Sequence, residues 1–176
     1  KCAPRGKIQI EMNLSLTQHS STLTDAPHIV LVHGMGSAAT AWKPLTPLLQ
    51  ERFNVITVDL PGHGQTPMIA GQEMDPISIG KLVVREVKEQ FGVTEFDLIG
   101  NSWGGWIALE IAASFPDSVR SVTALAPAGF WLATYVQRRP GASQFRLLTS
   151  RSAALAPSFL KYERSRKLGF GDVSPR

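Results

Sequence analysis

Ser102 lies between Gly100 and Gly104 in the run Ile99-Gly100-Asn101-Ser102-Trp103-Gly104-Gly105-Trp106. One apolar stretch precedes this run and another follows it, the setting of a sharp strand-to-helix turn that presents a nucleophile. The flanking glycines let the backbone cross itself tightly, which leaves the serine strained and exposed. A serine hydroxyl near its ordinary pKa is a poor nucleophile and needs a base beside it. Attack on a carbonyl also needs fixed donors where negative charge grows on oxygen; in other enzymes one such donor is worth about 3–4 kcal/mol. Two main-chain donors suggest themselves. One is the amide of Trp103, directly after the serine. The other is the amide of Met35, in Val32-His33-Gly34-Met35-Gly36-Ser37. Gly34 and Gly36 let that loop approach a substrate, and Gly105 lets the following helix pack closely on its strand.

Several elements must hold these groups. Ile8, Ile10, Met12, Leu14 and Leu16 alternate with polar residues, the period of a half-buried strand over 8–16. Residues 18–27 form a polar loop. Four short apolar runs, 28–32, 54–58, 96–99 and 121–125, read as strands buried on both faces. Between them, Trp42, Leu45, Leu48 and Leu49 share a predicted helix face. Asp75-Pro76 caps and opens a second helix, whose Ile79, Leu82, Val83, Val87 and Phe91 keep helical spacing and which Gly92 stops. A third helix, 103–115, is apolar nearly all round and is expected to be deeply buried, with Pro116 at its end. Strands and helices alternating in this way predict an α/β fold, a mostly parallel sheet with helices on both faces.

The 176 residues favour one domain. From about Trp131 the character changes. Residues 1–130 carry 9 Lys/Arg against 12 Asp/Glu, and residues 131–176 carry 9 against 2, so the net charge of +4 arises in the tail. Phe145, Leu148 and Leu155 share one predicted helix face there, and Pro157 opens another helix through Leu168. We therefore place a boundary near 130, between an α/β core and a helical, basic segment. No aromatic or glycine pattern of a nucleic-acid module accompanies the charge, so a solvated helix face is the simpler reading. No apolar run approaches the roughly 18 residues of a membrane span, and no signal peptide is read. Cys2 is the only cysteine, which excludes an internal disulfide and fits a cytoplasmic protein.

Three motifs together resemble the α/β-hydrolase family. They are His33-Gly34-Met35-Gly36, the turn Asp59-Leu60-Pro61-Gly62-His63-Gly64, and the Gly100–Gly105 elbow, in that family's order and spacing. Leu125–Trp131 resembles the strand end from which a lid departs. The resemblance covers residues 8–131 and implies strands 1 to 6 of a sheet ordered 1-2-4-3-5-6-7-8, followed by the start of a helical lid. It implies Ser102 as nucleophile, the Met35 and Trp103 amides as oxyanion hole, and a substrate pocket including Gly34, Gly36, Phe130 and Trp131. A small-molecule substrate is implied, with no cofactor, metal, nucleic-acid partner or stable membrane association.

The family's triad runs Ser, acid, His along the chain. Here His19, His28, His33 and His63 all precede Ser102, and none follows it. Glu110, Asp117, Glu163 and Asp172 are the later carboxylates, and none follows a seventh core strand. His33 and His63 read as loop braces, and Asp59 as a structural hydrogen-bonding residue. Trp106 reads as helix packing. The expectation is a serine hydrolase nearly inactive as this chain stands, a fragment or disrupted product with an open strand edge near 121–125. Two alternatives are a non-catalytic protein that keeps the pocket and a basic interaction segment in the tail.

Overall fold

Alternate residues of the strand His28–Val32 (β2) enter different cores. Val30 and Val32 join one cluster, and Ile29 and Leu31 join another on the opposite face. That two-sided burial is why the run is continuously apolar rather than alternating. The computed structural model describes residues 13–68 and 73–129 of the chain. The expected segments 1–12 and 131–176, with Phe130 and Trp131, lie outside the described residues.

Five strands form one sheet: β1 (Ser15–His19), β2, β3 (Asn54–Asp59), β4 (Phe96–Asn101) and β5 (Val119–Leu125). Their order is β1-β3-β2-β4-β5, with β1 antiparallel to β3 and the other pairs parallel. This is the mostly parallel α/β sheet expected, and the order matches strands 2-4-3-5-6 of the family scheme.

Helices cover both faces. The first face carries α2 (Pro76–Phe91) and α3 (Trp103–Ser114), which bury Ile79, Val83, Val87, Ile107 and Ile111 against Val30, Ile56, Val58 and Leu98. On the second face a 3₁₀ turn (Ala39–Trp42) leads to α1 (Thr46–Gln50), and Trp42, Leu45 and Leu49 pack on Ile29, Leu31 and Val55. Asp75 caps α2 as expected: its Oδ1 accepts the amide hydrogens of Ile77 and Ser78, both at 3.0 Å. Gly92 ends the helix in the left-handed conformation at φ 69°. No helix among the described residues is long and apolar enough to cross a membrane.

Four expectations need correction. The first described strand continues to His19, into the predicted polar loop. Thr17, Gln18 and His19 pair with Thr57, Ile56 and Val55 through main-chain groups, and that ladder needs no apolar side chain. The helix predicted around Trp42–Leu49 is a 3₁₀ turn and a separate short helix, with Leu48 exposed. Pro44 and Pro47 fall where a continuous helix would need amide donors. In β4, Asp97 and Ile99 are only half-buried. In β5 the residues alternate between half-buried and exposed rather than being buried on both faces. Among the described residues β5 pairs with β4 alone.

Candidate active site

The parallel strands β2, β3 and β4 end at the same edge of the sheet, where ligands of open α/β sheets bind. The connections that follow them place the candidate residues. At the end of β4 the chain turns into α3 through Ser102, whose φ of 55° and ψ of −113° lie outside the usual regions for a side-chain-bearing residue. The turn is held on both sides. Ser102 N–H donates to Leu125 C=O at 2.9 Å, and Ser102 C=O accepts the Ala128 amide at 2.9 Å and the Trp106 amide at 3.1 Å. With its main chain tied, Ser102 is exposed.

Two flanking glycines make the turn possible by contact. A Cβ on Gly100 would lie 2.1 Å from Gly104 O, and one on Gly104 would lie 2.3 Å from Val32 O and 2.4 Å from His33 O. No side chain fits between these backbones.

The connection after β2 runs beside the serine. A Cβ on Gly34 would stand 3.2 Å from Ser102 Cβ, so that glycine borders the candidate nucleophile directly. Gly34 C=O accepts the Ser37 amide at 3.2 Å, closing a turn over Met35 and Gly36. Met35 is 70% exposed, and Gly36 adopts φ 74°. No described residue accepts a hydrogen bond from the Met35 amide or from the Trp103 amide. Among the described residues both donors are unengaged.

The connection after β3 forms the next wall. Asp59 is buried at the end of β3; its Oδ1 accepts the Ala39 amide at 2.7 Å and its Oδ2 the Gln65 amide at 3.0 Å. Its own carbonyl accepts the Thr66 hydroxyl at 2.6 Å. One carboxylate thus ties the β2 connection to the β3 connection.

Two imidazoles complete the bracing. His33 Nε2 accepts the Leu60 amide at 3.1 Å, so Nδ1 carries the ring proton and donates it to Gly34 C=O at 2.7 Å. Burial holds the His33 pKa below its ordinary value, and nearby His63 pushes the same way. The Gly34 carbonyl and Asp59 pull it back up. His63 Nε2 accepts the Gly36 amide at 3.0 Å while Nδ1–H donates to Pro61 C=O at 2.8 Å. The His63 ring lies 5.2 Å from that of His33 and 6.2 Å from that of Trp103, centroid to centroid.

This corner gathers Ser102, Trp103, Gly34, Met35 and Gly36; Phe130 and Trp131 fall outside the described residues. His28 pairs in register with Asn54 and His19 with Val55, at the opposite ends of the strands from Ser102. Glu110 accepts the Trp106 indole N–H at 2.9 Å, a packing contact within α3. Asp117 is exposed in the 3₁₀ turn after α3. The Asp59–Gly64 motif carries no chemistry in the sequence beyond its turn. Its part as a clamp shows only in the structure, and the one signal for it is a carboxylate at the end of an otherwise buried strand.

The family model described as the alpha/beta hydrolase fold matches residues 27–172. This chain belongs to the alpha/beta hydrolase fold family. It is similar to a pimeloyl-[acyl-carrier protein] methyl ester esterase of Methylococcus capsulatus, 34% identical over 99 residues that span 56% of this chain and 36% of that relative. A second relative, 32% identical over 106 residues, is the dihydrolipoyllysine-residue acetyltransferase component of the acetoin cleaving system of Cupriavidus necator; the match spans 60% of this chain and 28% of that one. These matches therefore cover about a third of the relatives' own length. Among solved structures, a marine microorganism esterase superposes with a TM-score of 0.69 at 19% identity, over 92% of this chain and 60% of its own. That likeness is one of fold. For a hydrolase-fold chain, the corner around Ser102 is the candidate site.

Proposed function

We propose that this hydrolase-fold chain carries the nucleophile and oxyanion hole of a serine hydrolase acting on ester-like carbonyl substrates. The observation that carries the proposal is the exposed Ser102, at φ 55°, beside Gly34 and two amides that have no acceptor among the described residues. In the reaction, Ser102 Oγ attacks the carbonyl carbon and the carbonyl π bond opens. The Met35 and Trp103 N–H groups receive the resulting oxyanion, and its collapse expels the alcohol and leaves an acyl-serine. Gly34 and Gly36 line the approach. The relatives named as methyl ester esterases support an ester carbonyl as the target.

The attack needs a base for the Oγ proton, and this chain's histidines are engaged elsewhere. Both ring nitrogens of His33 and of His63 bond to main-chain groups, and His19 and His28 stand at the other ends of the strands. No histidine follows Ser102. None of these four imidazoles is therefore placed to take the Ser102 Oγ proton. Losing the histidine of such a triad costs about a million-fold in rate, with about 10³–10⁴ over water left from the oxyanion hole and binding. The chain by itself is accordingly a very weak catalyst.

The test uses the chain with its downstream reading frame attached, a fluorophosphonate probe and a p-nitrophenyl ester. Labelling at Ser102 and turnover, both lost in Ser102→Ala, are expected. No labelling and no turnover would end the proposal. The engaged imidazoles favour one second reading, a non-catalytic protein that keeps the pocket. A small ester that raises the melting temperature of the extended chain, with no turnover, would select it.

A further inference from the structure

Among the described residues, very little packing holds the loop that carries the Met35 amide. Met35 is largely exposed, and a Cβ on Gly36 would meet nothing within 4 Å. Hydrogen bonds must do the holding, and they act through peptide planes. Gly34 C=O and Met35 N–H belong to one planar trans peptide, so fixing the carbonyl fixes the direction of the amide. His33 Nδ1–H and the Ser37 amide fix that carbonyl. The next peptide joins Met35 to Gly36, and its N–H donates to His63 Nε2 at 3.0 Å.

We propose that His63 is a positioning residue for the oxyanion hole: it pins the Met35–Gly36 peptide through Nε2 while its ring rests on Trp103. One imidazole thereby bonds the residue that follows Met35 and lies beside Trp103, so it links the β2 connection to the start of α3. Its geometry suits the task. Pro61 C=O takes the Nδ1 proton at 2.8 Å, which leaves Nε2 as the acceptor and fixes the ring plane. Without this strut, Gly36 is free to rotate about a left-handed conformation that glycine leaves readily. The Met35 amide then loses its aim, although every atom of the hole remains. This inference rests on the serine-hydrolase reading for its catalytic meaning, but the strut can be tested without catalysis.

The first arm is NMR on this chain. Long-range ¹H–¹⁵N spectra should find His63 neutral with its proton on Nδ1; a proton on Nε2 would overturn the proposal, because that nitrogen could not then accept. His63→Phe keeps a ring against Trp103 and removes the acceptor, so exchange of the Gly36 amide should quicken by about tenfold or more. His63→Gln places an oxygen near the former Nε2 and should retain most of the protection. Unchanged exchange in His63→Phe would refute the strut.

The second arm is kinetic, on the chain with its downstream reading frame. His63→Phe should lower kcat by about 10–100-fold, the scale of a misplaced donor, with KM little changed. His63→Gln should recover most of the loss. Equal loss in both variants, or a change confined to KM, would overturn the positioning role. A wild-type protein that shows the Gly36 protection yet never labels at Ser102 would instead refute the hydrolase reading, leaving the strut judged by exchange alone.

Discussion

His33 takes the Leu60 amide hydrogen on Nε2 at 3.1 Å, so a ring buried beside the candidate nucleophile is a neutral spacer between two connections. A protonated ring could not accept that hydrogen. This fixes the sign of a pH effect. Burial, the largest cause, holds the His33 pKa below its ordinary value in the folded chain. The unfolded chain takes up a proton near pH 6.5 that the folded ring refuses, so it binds more protons over that window. Stability from this residue is complete above about pH 6.5 and is lost as pH falls from there toward the lowered folded value. Urea unfolding at about pH 7.5 and about pH 5.5 should show wild type losing more stability on acidification than His33→Gln does. Equal losses would remove His33 as the cause.

Asp59 offers a sharper test of what holds the two connections together. Its carboxylate accepts two main-chain amides from different segments, Ala39 and Gln65, while buried at the end of β3. Hydrogen bonds to a charged group contribute about 1.5–3 kcal/mol each, and the amides left behind are partly buried. Asp59→Ala should cost about 3 kcal/mol or more in urea unfolding. Asp59→Asn should cost less, because its one oxygen still serves one amide while its NH₂ faces the other. An alanine variant within about 0.5 kcal/mol of wild type would show that the clamp does not hold the loops.

The site's glycines separate by contact rather than by motif. A Cβ on Gly104 would drive into the carbonyl oxygens of Val32 and His33, and backbone cannot step aside as a flexible side chain can. A Cβ on Gly36 meets open space and carries only the cost of its positive φ. Gly104→Ala should therefore destabilise by about 3 kcal/mol or more, and Gly36→Ala by about 1–2 kcal/mol. Thermal unfolding of the two variants side by side checks the ranking, and a reversed order would contradict the close approach of α3 to β2.

The sheet was readable where burial on both faces forces apolar runs. Ile29 to Val32 and Val55 to Val58 are covered on both sides and are apolar except for the buried Thr57, so β2 and β3 stand where their residues predict. Asp75-Pro76 and Gly92 mark α2 because capping is local chemistry. The strand at Thr17–His19 was hidden for the converse reason. Its ladder needs only main-chain partners, and those belong to β3, some 40 residues away. Leu48 keeps the helical spacing of a core residue, but Pro44 and Pro47 break the helix that would have buried it. At the candidate site, the tight turn at Ser102 was legible because glycine contacts are written into neighbouring residues. The Gly36–His63 contact was not, since it joins residues 27 apart that only the fold brings together.

Ser102 itself yields the last prediction, because its chemistry and its conformation pull in opposite directions. At φ 55° and ψ −113° it occupies a region that side-chain-bearing residues avoid, at a cost of about 1–3 kcal/mol. Its N–H and C=O bonds to Leu125, Ala128 and Trp106 hold it there. Glycine adopts that conformation without a Cβ penalty and keeps all three main-chain bonds. It gives back about 0.5–1 kcal/mol through the greater freedom of the unfolded chain. Ser102→Gly should therefore be more stable than wild type by about 1 kcal/mol in urea unfolding, while losing all labelling by a fluorophosphonate in the extended chain. Ser102→Ala, which keeps the Cβ, should lose the labelling without that gain. If glycine destabilises the chain as much as alanine does, the serine is not strained, and the exposed turn is not a conformation the fold imposes on its nucleophile.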